Sequence, residues 1–482
     1  MYNCGEIAEL RDVNDQTSSP LGPFFLRRRI VQHDQLTRNS RRSQGLINEN
    51  TSSHYNTSWT VAGHAYIMYA CVMQSKNKEY IRNLNPLLRG VIQKKQSILI
   101  LGPRQVGKTT LVKRLLMTEA NSITYSLQIP EIRLAFEKDP SLLIRQVKAA
   151  KPRPVVFIDE AQKVPELFDA VQYLIDEKLA TFIITGSSAR KLKRKGGNLL
   201  PGRLKNSRLD PLMWNEFGWL ESAGVEELRI KNASDKTGYT FEKSLIFGAL
   251  PGIVNQKDDV ERADFLKAYS QTYLEEEIRA EALSRKIGAF SRFLELAAQE
   301  SGTAPNFAKL SMESGVSAPT IKEFYNVLDE TLVAERVDAY LKNARKRIMR
   351  TARYYLFDLG VRNSLARLPL MPELINSQKG VLFEHAVMLE IIRRVRSLGR
   401  NYRVCYWRTS SGLEVDCVID TGAGAIPIEI KASAHVRLAD LSGLAAFLNE
   451  YPKQARQGFV VAQVAKPEKL SHNITVLPWR GF

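Results

Sequence analysis

Short apolar runs alternate with longer amphipathic stretches between residues 76 and 225. The short runs have the length of buried strands, and the longer stretches repeat their apolar residues with the period of a helix. Strands that alternate with helices in this way indicate an α/β fold, in which helices flank a parallel sheet. The predicted elements are strands at 97–101, 123–127, 155–159 and 181–185, and helices at 78–93, 108–119 and 166–177.

The pattern changes after residue 225, and the helical period then dominates as far as residue 345. Two helices joined by a turn at Gly315 indicate a helix-turn-helix or winged-helix arrangement. Lys322 is the only basic residue between Ser317 and Leu328, so we interpret this unit as a connector and not as a reader of DNA bases. The predicted helices lie at 265–282 and 289–300 and on either side of the turn within 307–328.

Strands return after residue 345, together with two further helices. This mixture indicates a second α/β domain at the end of the sequence. The predicted strands are 354–357, 402–408, 414–419, 425–431 and 458–461, and the predicted helices are 380–396 and 438–449.

The first 75 residues differ from the rest in composition, because Asn, Ser, Thr, Arg and Gln dominate them. A segment with so little to bury is expected to be a disordered extension, and Met73 is a candidate for the natural start. The predicted division of the chain is 1–75, 76–225, 226–345 and 346–482.

Composition and charge limit the kinds of molecule that the chain is expected to bind. The chain has 482 residues, with 69 Lys and Arg against 51 Asp and Glu, and a formal net charge of +18. This excess favours a polyanion such as nucleic acid, although a basic surface without a specific partner would have the same charge. The four cysteines form no C-x-x-C pair, which argues against a zinc site or a disulfide framework and favours a cytoplasmic location. The most apolar early stretch, 59–73, is too short to span a membrane, so no membrane partner is expected.

A glycine-rich loop stands between the first predicted strand and the helix after it. It reads G-P-R-Q-V-G-K-T and matches the phosphate-binding pattern G-x-x-x-x-G-K-[ST]. In such a loop, backbone N–H groups and the helix N-terminus point at phosphates, Lys108 reaches the β- and γ-phosphates, and the Thr109 hydroxyl reaches Mg²⁺. The candidate ATP-binding residues are Gly102, Pro103, Arg104, Gln105, Val106, Gly107, Lys108, Thr109 and Thr110.

An acidic pair ends the third predicted strand, which we expect to lie next to the strand that feeds the glycine-rich loop. Asp159 is the candidate for holding Mg²⁺ together with Thr109, and Glu160 is the candidate for orienting and deprotonating an attacking water. The following strand ends in T-G-S-S. There Ser187 is the first candidate, and Thr185 the second, for a polar residue between the carboxylates and the γ-phosphate.

Two arginines follow that strand in a basic stretch of the sequence. Arg190 and Arg203 are candidates for stabilising transition-state charge, either in their own chain or in a neighbouring subunit. A solvated basic loop is the alternative interpretation for each of them. The cofactors that these motifs imply are ATP and Mg²⁺.

Together these motifs resemble those of prokaryotic AAA+-type ATPases that carry a C-terminal domain of unknown function. The resemblance rests on the glycine-rich loop, on I-D-E-A-Q ending at Gln162, and on T-G-S-S, and it covers about residues 76 to 482. It implies ATP binding and hydrolysis, and it leaves a homo-oligomer open because relatives of this type often form rings. Further matching segments are 201–203, 209–212, 216–217, 248–251, 273–275 and 355–358.

The C-terminal part contains a second group of acidic residues on neighbouring predicted elements. Glu384 lies on a helix, and Asp416 lies on a strand. Glu429 and Lys431 lie two positions apart on the next strand, and therefore on one side of it. Carboxylates can hold Mg²⁺, and a nearby ammonium can position water or stabilise a phosphorane, so Glu384, Asp416 and Glu429 are candidate metal ligands and Lys431 is a candidate catalytic residue.

This order of helix Glu, strand Asp and E-x-K resembles the PD-(D/E)xK nucleases, with Val415 where the motif has Pro. The resemblance implies a restriction-endonuclease-like α/β domain at 346–482. The domains predicted before it are an AAA+-type P-loop ATPase domain at 76–225 and a helical lid and winged-helix-like connector at 226–345. We therefore expect Mg²⁺-dependent ATP hydrolysis coupled to a nuclease-like domain that acts on DNA. The alternatives are an ATP-dependent switch whose nuclease-like domain only binds a protein or nucleic acid, and a motor that acts on proteins.

Overall fold

A computed structural model of the chain describes residues 80–188, 200–221, 224–234, 237–281, 287–341 and 351–482. The extension predicted at 1–75, Met73 and Arg190 lie outside the described residues. The strands are β1 (Ser97–Leu101), β2 (Ser122–Ser126), β3 (Val155–Asp159), β4 (Thr181–Gly186), β5 (Leu204–Arg208), β6 (Ala334–Ala339), β7 (Arg353–Leu356), β8 (Arg403–Arg408), β9 (Glu414–Asp420), β10 (Ala425–Lys431), β11 (Gly458–Ala462), β12 (Glu468–Ser471) and β13 (Ile474–Pro478). The α-helices are α1 (Asn85–Gln93), α2 (Lys108–Leu116), α3 (Pro130–Lys138), α4 (Leu142–Ala149), α5 (Leu167–Asp176), α6 (Phe241–Phe247), α7 (Pro251–Val254), α8 (Asp259–Glu281), α9 (Ile287–Gln299), α10 (Phe307–Ser314), α11 (Ala318–Glu330), α12 (Leu359–Leu365), α13 (Glu373–Ser397) and α14 (Ser442–Glu450).

The first sheet is parallel, with the strand order β2-β3-β4-β1-β5. Its central strands β3 and β4 are buried along their whole length, because helices cover both faces of the sheet. On one face Ile98 of β1 packs in the same cluster as Val112 of α2, and on the other face Ile158 of β3 packs with Val171 of α5. The predicted α/β class, with helices flanking a parallel sheet, is confirmed.

The order of the strands corrects one prediction. β4 lies between β1 and β3, so the strand that ends at Asp159 is not adjacent to the strand that feeds the glycine-rich loop. Parallel neighbours are joined by crossover connections, so order along the chain does not determine order in the sheet. Because all the strands run in one direction, Asp159 and the glycine-rich loop still meet at the same edge.

The segment before α1 corrects a second prediction, because the helix expected at 78–93 begins only at Asn85. Pro86 occupies the first turn, where its missing N–H leaves no helical hydrogen bond unmade. Residues 80–84 are not helical, and the backbone N–H of Asn83 donates to Glu216 Oε1 at 2.7 Å. A contact between distant parts of the chain therefore replaces a turn of helix.

The helical middle of the chain shares its hydrophobic core with α2 and with one face of the first sheet. α9 and α11 meet through the rings of Phe290, Phe293 and Phe324. α10 and α11 are separated by Gly315, whose φ of 71° is in the left-handed region that glycine tolerates. Helix, turn and helix are thus present where the pattern predicts them, and β6 and β7 follow as an antiparallel pair.

The second sheet is mixed, with the order β12-β13-β11-β10-β9-β8-β6-β7. Val387 of α13 packs with Ile428 on one face of this sheet, and Phe447 of α14 packs with Val460 on the other face. β6 belongs to this sheet, although it precedes the predicted domain boundary at residue 345. The second sheet is therefore a layer covered by helices on both sides, and α13 is the helix that carries Glu384.

A cluster of four ionised side chains joins the two sheets. Arg396 of α13 lies 2.6 Å from Asp210 Oδ2 and 2.9 Å from Glu335 Oε2, and Arg208 of β5 pairs with the same two carboxylates. Although burial opposes it, the charges of Arg396 and Arg208 hold the pKa of Asp210 well below its usual value. The edge strand of the first sheet is thereby tied to β6 and to the long helix α13.

Candidate functional site

The glycine-rich loop wraps around the end of β1 because two of its glycines permit it. A Cβ atom at Gly102 would collide with the carbonyl oxygen of Leu209, so a larger residue does not fit there. Gly107 has a φ of 92° and directly precedes Lys108, the first residue of α2. The backbone N–H groups at the start of α2 are therefore available at the inner side of the loop, as phosphate binding requires.

Lys108 lies inside this loop and is only 4% exposed. Its Nζ donates to the carbonyl oxygens of Gly102 and Pro103, both at 2.8 Å. The ammonium is thus held at the centre of the loop, where its charge is available to an anion.

Three side chains from three elements converge at the carboxyl edge of the first sheet. The hydroxyls of Thr109 and Thr185 donate to Asp159 Oδ1 at 2.8 Å and 2.7 Å. Asp159 is fully buried, and its Oδ2 has no hydrogen-bond partner among the described residues. Burial raises the pKa of Asp159, against the lowering effect of these two hydrogen bonds. A buried carboxylate oxygen without a donor, beside a threonine hydroxyl, has the chemistry that a divalent cation prefers.

Glu160 is held in place by two neighbours. Its Oε2 accepts hydrogen bonds from Gln162 Nε2 at 2.5 Å and from the Ser187 hydroxyl at 3.2 Å, and Gln162 also donates to Ser187 at 2.9 Å. Glu160 has a φ of 58°, which is uncommon outside glycine, and its N–H donates to the Thr185 hydroxyl at 3.2 Å. The strained backbone and the two side-chain donors together fix the direction of the carboxylate.

The hydroxyls of the two candidates on β4 and its extension therefore donate to different carboxylates. Thr185 contacts Asp159, and Ser187 contacts Glu160. Gln162 was not among the predicted site residues, although its position two residues after Glu160 was visible in the sequence. That position indicates a contact with Glu160 and Ser187 only once the order of the strands is known.

Arg203 lies at the opposite edge of the first sheet from the glycine-rich loop. It precedes β5, whose first residue pairs with Ser97 at the start of β1, whereas the loop follows the end of β1. Its Nε donates to Asp176 at 2.6 Å. Arg203 is thus remote from the loop of its own chain, and its proposed role toward a neighbouring subunit stays a prediction.

The C-terminal acidic residues occupy three adjoining elements, α13, β9 and β10. Asp416 Oδ2 accepts a hydrogen bond from the Ile430 N–H at 2.8 Å, and Lys431 Nζ lies 2.7 Å from Glu429 Oε1. Burial and then the charge of Asp416 raise the pKa of Glu384 to about 7 and that of Glu429 to about 8. The three carboxyl groups therefore influence one another electrostatically, with Glu429 buried and Glu384 and Asp416 half-buried.

A buried arginine that the sequence did not single out enters this environment. Arg353 of β7 lies 3.8 Å from Glu384 Oε1 and also pairs with Glu414. Tyr355, two residues further on the same strand, donates its hydroxyl to Glu384 at 3.2 Å. In the part of the chain that the structure describes, no group of three or more His, Cys, Asp or Glu side chains is arranged to hold a metal ion. Because Arg353 and Tyr355 both contact Glu384, its carboxylate is engaged by protein donors.

Comparisons with known proteins identify the type of the domain that contains the glycine-rich loop. Residues 94–218 match a family model described as an AAA domain, so the chain carries an AAA-type P-loop domain. Residues 238–371 and 379–482 match two families described as domains of unknown function, DUF8612 and DUF4143. Among described residues, none of the helices has the length and apolar character needed to cross a membrane.

Two relatives and two solved structures are similar to parts of this chain. Uncharacterized proteins of Mycobacterium tuberculosis and Mycobacterium bovis are each 26% identical over 357 residues, which is 72% of this chain and 73% of theirs. A Walker-type ATPase of Pyrococcus abyssi aligns with 61% of this chain and 98% of its own, at 14% identity and a TM-score of 0.39. The Orc1 protein of Aeropyrum pernix in complex with DNA aligns at 13% identity and a TM-score of 0.27, over 62% of this chain and 95% of its own.

Proposed function

We propose that this protein is a Mg²⁺-dependent ATPase whose hydrolysis cycle controls a C-terminal nuclease-like domain acting on DNA. The observation that carries the ATPase proposal is the carboxylate of Glu160, which Gln162 and Ser187 hold beside Asp159 and the glycine-rich loop. A general base must be fixed in direction and close to the phosphate that water attacks. The hydrogen bonds to Glu160 support the first requirement, and its place next to Asp159 at the carboxyl edge of the sheet supports the second.

Each residue of the site has a defined task in the proposed reaction. Lys108 and the N–H groups at the start of α2 bind the phosphates, and Thr109 and Asp159 would hold the metal ion. A bound Mg²⁺ would supply positive charge to the phosphate oxygens. Glu160 takes a proton from the water whose oxygen bonds to the γ-phosphorus, and the bond from that phosphorus to the β,γ-bridging oxygen breaks.

The nuclease-like proposal rests on the order of elements in the second sheet. The succession α13, β8, β9, β10, α14 and β11 carries Glu384 on its first helix, Asp416 on its second strand, and Glu429 and Lys431 on its third. Glu429 Oε2 is buried and has no hydrogen-bond partner among the described residues, which fits a ligand position. Mg²⁺ commonly binds through one or two carboxylates together with substrate phosphates, so Asp416 and Glu429 would suffice.

Incubation of the purified chain with DNA and either Mg²⁺ or Mn²⁺ is expected to give cleavage that disappears in Asp416→Ala and in Lys431→Ala. The first change removes a metal ligand, and the second removes the ammonium that positions water. Products are measured on denaturing gels. Asp420→Ala is the control, because Asp420 ends the same strand but pairs with the exposed Arg403. Cleavage that survives in Asp416→Ala contradicts this site assignment.

One observation favours the alternative, an ATP-dependent switch in which this domain binds without cutting. The guanidinium of Arg353 lies among the acids and pairs with Glu384 and Glu414, so it already offsets negative charge that a metal ion would neutralise. DNA binding without cleavage in both metals supports the switch.

DNA is expected to stimulate ATP hydrolysis, and the stimulation is expected to fall steeply as salt rises. Each protein cation that contacts a DNA phosphate releases counterions, so the affinity depends on the salt concentration. The net charge of +18 supports such contacts. Phosphate release is measured with single- and double-stranded DNA across a salt series, and heparin serves as the control polyanion. A rate that DNA leaves unchanged at low salt contradicts the DNA proposal.

A further inference from the structure

Arg82 is a buried arginine that connects three separate parts of the ATPase domain. Its Nη1 donates to the carbonyl oxygen of Val106 at 2.8 Å, and its Nη2 donates to that of Asp210 at 2.6 Å. Its Nε donates to Glu216 Oε2 at 3.0 Å. A planar guanidinium can satisfy three acceptors in fixed directions at once, which a lysine ammonium at the end of a flexible chain does not do.

Glu216 holds Arg82 in this position. Its Oε2 also accepts the N–H of Met213 at 3.1 Å, and its Oε1 accepts the N–H of Asn83 at 2.7 Å. The side chains of Arg82 and Glu216 are 7% and 2% exposed, so water does not compete for these hydrogen bonds. The position of the guanidinium is therefore determined by the fold.

The contact with Val106 bears on phosphate binding because Val106 precedes Gly107. In a planar trans peptide, the C=O of one residue and the N–H of the next point in opposite directions. A donor that holds the Val106 carbonyl on one side therefore directs the Gly107 N–H to the other side. Glycine by itself leaves this peptide free to rotate, because Gly107 has no Cβ that restricts its φ of 92°.

We propose that Arg82, held by Glu216, is a positioning residue that orients the Val106–Gly107 peptide so that its N–H faces the nucleotide phosphates. Arg82 itself touches no phosphate. The inference rests on the proposed binding of ATP at the glycine-rich loop. The oriented N–H binds phosphate before and during the reaction alike. Losing it therefore lowers the affinity for nucleotide and raises KM, with a smaller effect on kcat.

The affinity for ADP with Mg²⁺, measured by isothermal titration calorimetry, tests this role without requiring hydrolysis. The double variant Arg82→Gln/Glu216→Gln removes both charges of the buried pair together, so neither is left unpaired. We expect its Kd for ADP to rise at least about tenfold. Arg82→Lys keeps a charge beside Glu216 but cannot hold three acceptors, so we expect its Kd for ADP to rise as well.

Glu390→Gln/Arg394→Gln is the matched control, because that buried pair on α13 is 1% exposed at both side chains and makes none of the contacts of Arg82. Glu390 Oε2 also accepts the N–H of Trp214 at 3.2 Å, and a glutamine oxygen can still accept it. We expect it to lower Tm and to leave the Kd for ADP within about twofold of wild type. Wild-type affinity in both Arg82 variants overturns the inference, and so does an equal loss in the control. Lys108→Ala distinguishes a failure of the proposed nucleotide site from a failure of the role of Arg82. If it too binds ADP like wild type, the proposed nucleotide site fails, and if only Lys108→Ala loses ADP, the role of Arg82 alone fails.

Discussion

Lys108→Ala is expected to abolish nucleotide binding and turnover, with kcat/KM for ATP falling by at least about a hundredfold. The ammonium lies within 2.8 Å of the Gly102 and Pro103 carbonyls at the centre of the glycine-rich loop. Phosphates that enter the loop bring several negative charges, and alanine removes the ammonium that offsets them together with the backbone N–H groups and the proposed Mg²⁺. Turnover is measured by phosphate release, and binding by calorimetry with ADP.

Arg114→Ala is the control for this change, because Arg114 is an exposed cation on the same helix α2. It removes one positive charge from the helix without changing the loop, so turnover is expected to stay close to wild type. Unchanged turnover in Lys108→Ala contradicts the assignment of the loop as the ATP site.

Glu160→Gln is expected to bind ATP with near wild-type affinity but to hydrolyse it about 10² to 10⁴ times more slowly. The amide has the size of the carboxylate and can keep a hydrogen bond with the Ser187 hydroxyl, but it cannot accept a proton from water. Single-turnover measurements with saturating enzyme separate the chemical step from binding.

Glu166→Gln is the matched control, because Glu166 is an exposed acid six residues further along the chain, next to α5. It is expected to hydrolyse ATP at the wild-type rate. If Glu160→Gln also does so, Glu160 is not the general base, and the hydrogen bonds from Gln162 and Ser187 serve only the fold.

The glycine-rich loop and the buried strands could be predicted because their determinants are adjacent in sequence. In β3, the run of apolar residues and the acid that ends it lie within five positions, and no distant partner is needed to recognise them. The same holds for the carboxylates and Lys431 on β9 and β10, whose alternation along the strand fixes their side of the sheet. Local patterns thus predicted the elements on which the candidate site residues lie.

The contacts of Arg82 and Arg353 could not be predicted, because three-dimensional proximity decides them. Arg82 and Glu216 are separated by 134 residues, and Arg353 and Glu414 by 61. Thr185 contacts Asp159 only because β4 is inserted between β1 and β3. The short helix α1 is a similar case, since the hydrogen bond from Asn83 to Glu216 competes with helical hydrogen bonds.

The four-member ionic cluster between the sheets constrains the order in which the protein can be completed during synthesis. Asp210 leaves the ribosome 186 residues before Arg396, its partner on α13. At roughly 5 to 20 residues per second, about 10 to 40 s separate the two. Throughout that interval the Asp210 carboxylate has Arg208 but not yet Arg396 as an ion-pair partner, and Glu335 emerges before Arg396 as a second acid. The ATPase part of the chain therefore reaches its final electrostatic state only after translation has passed well into the second domain.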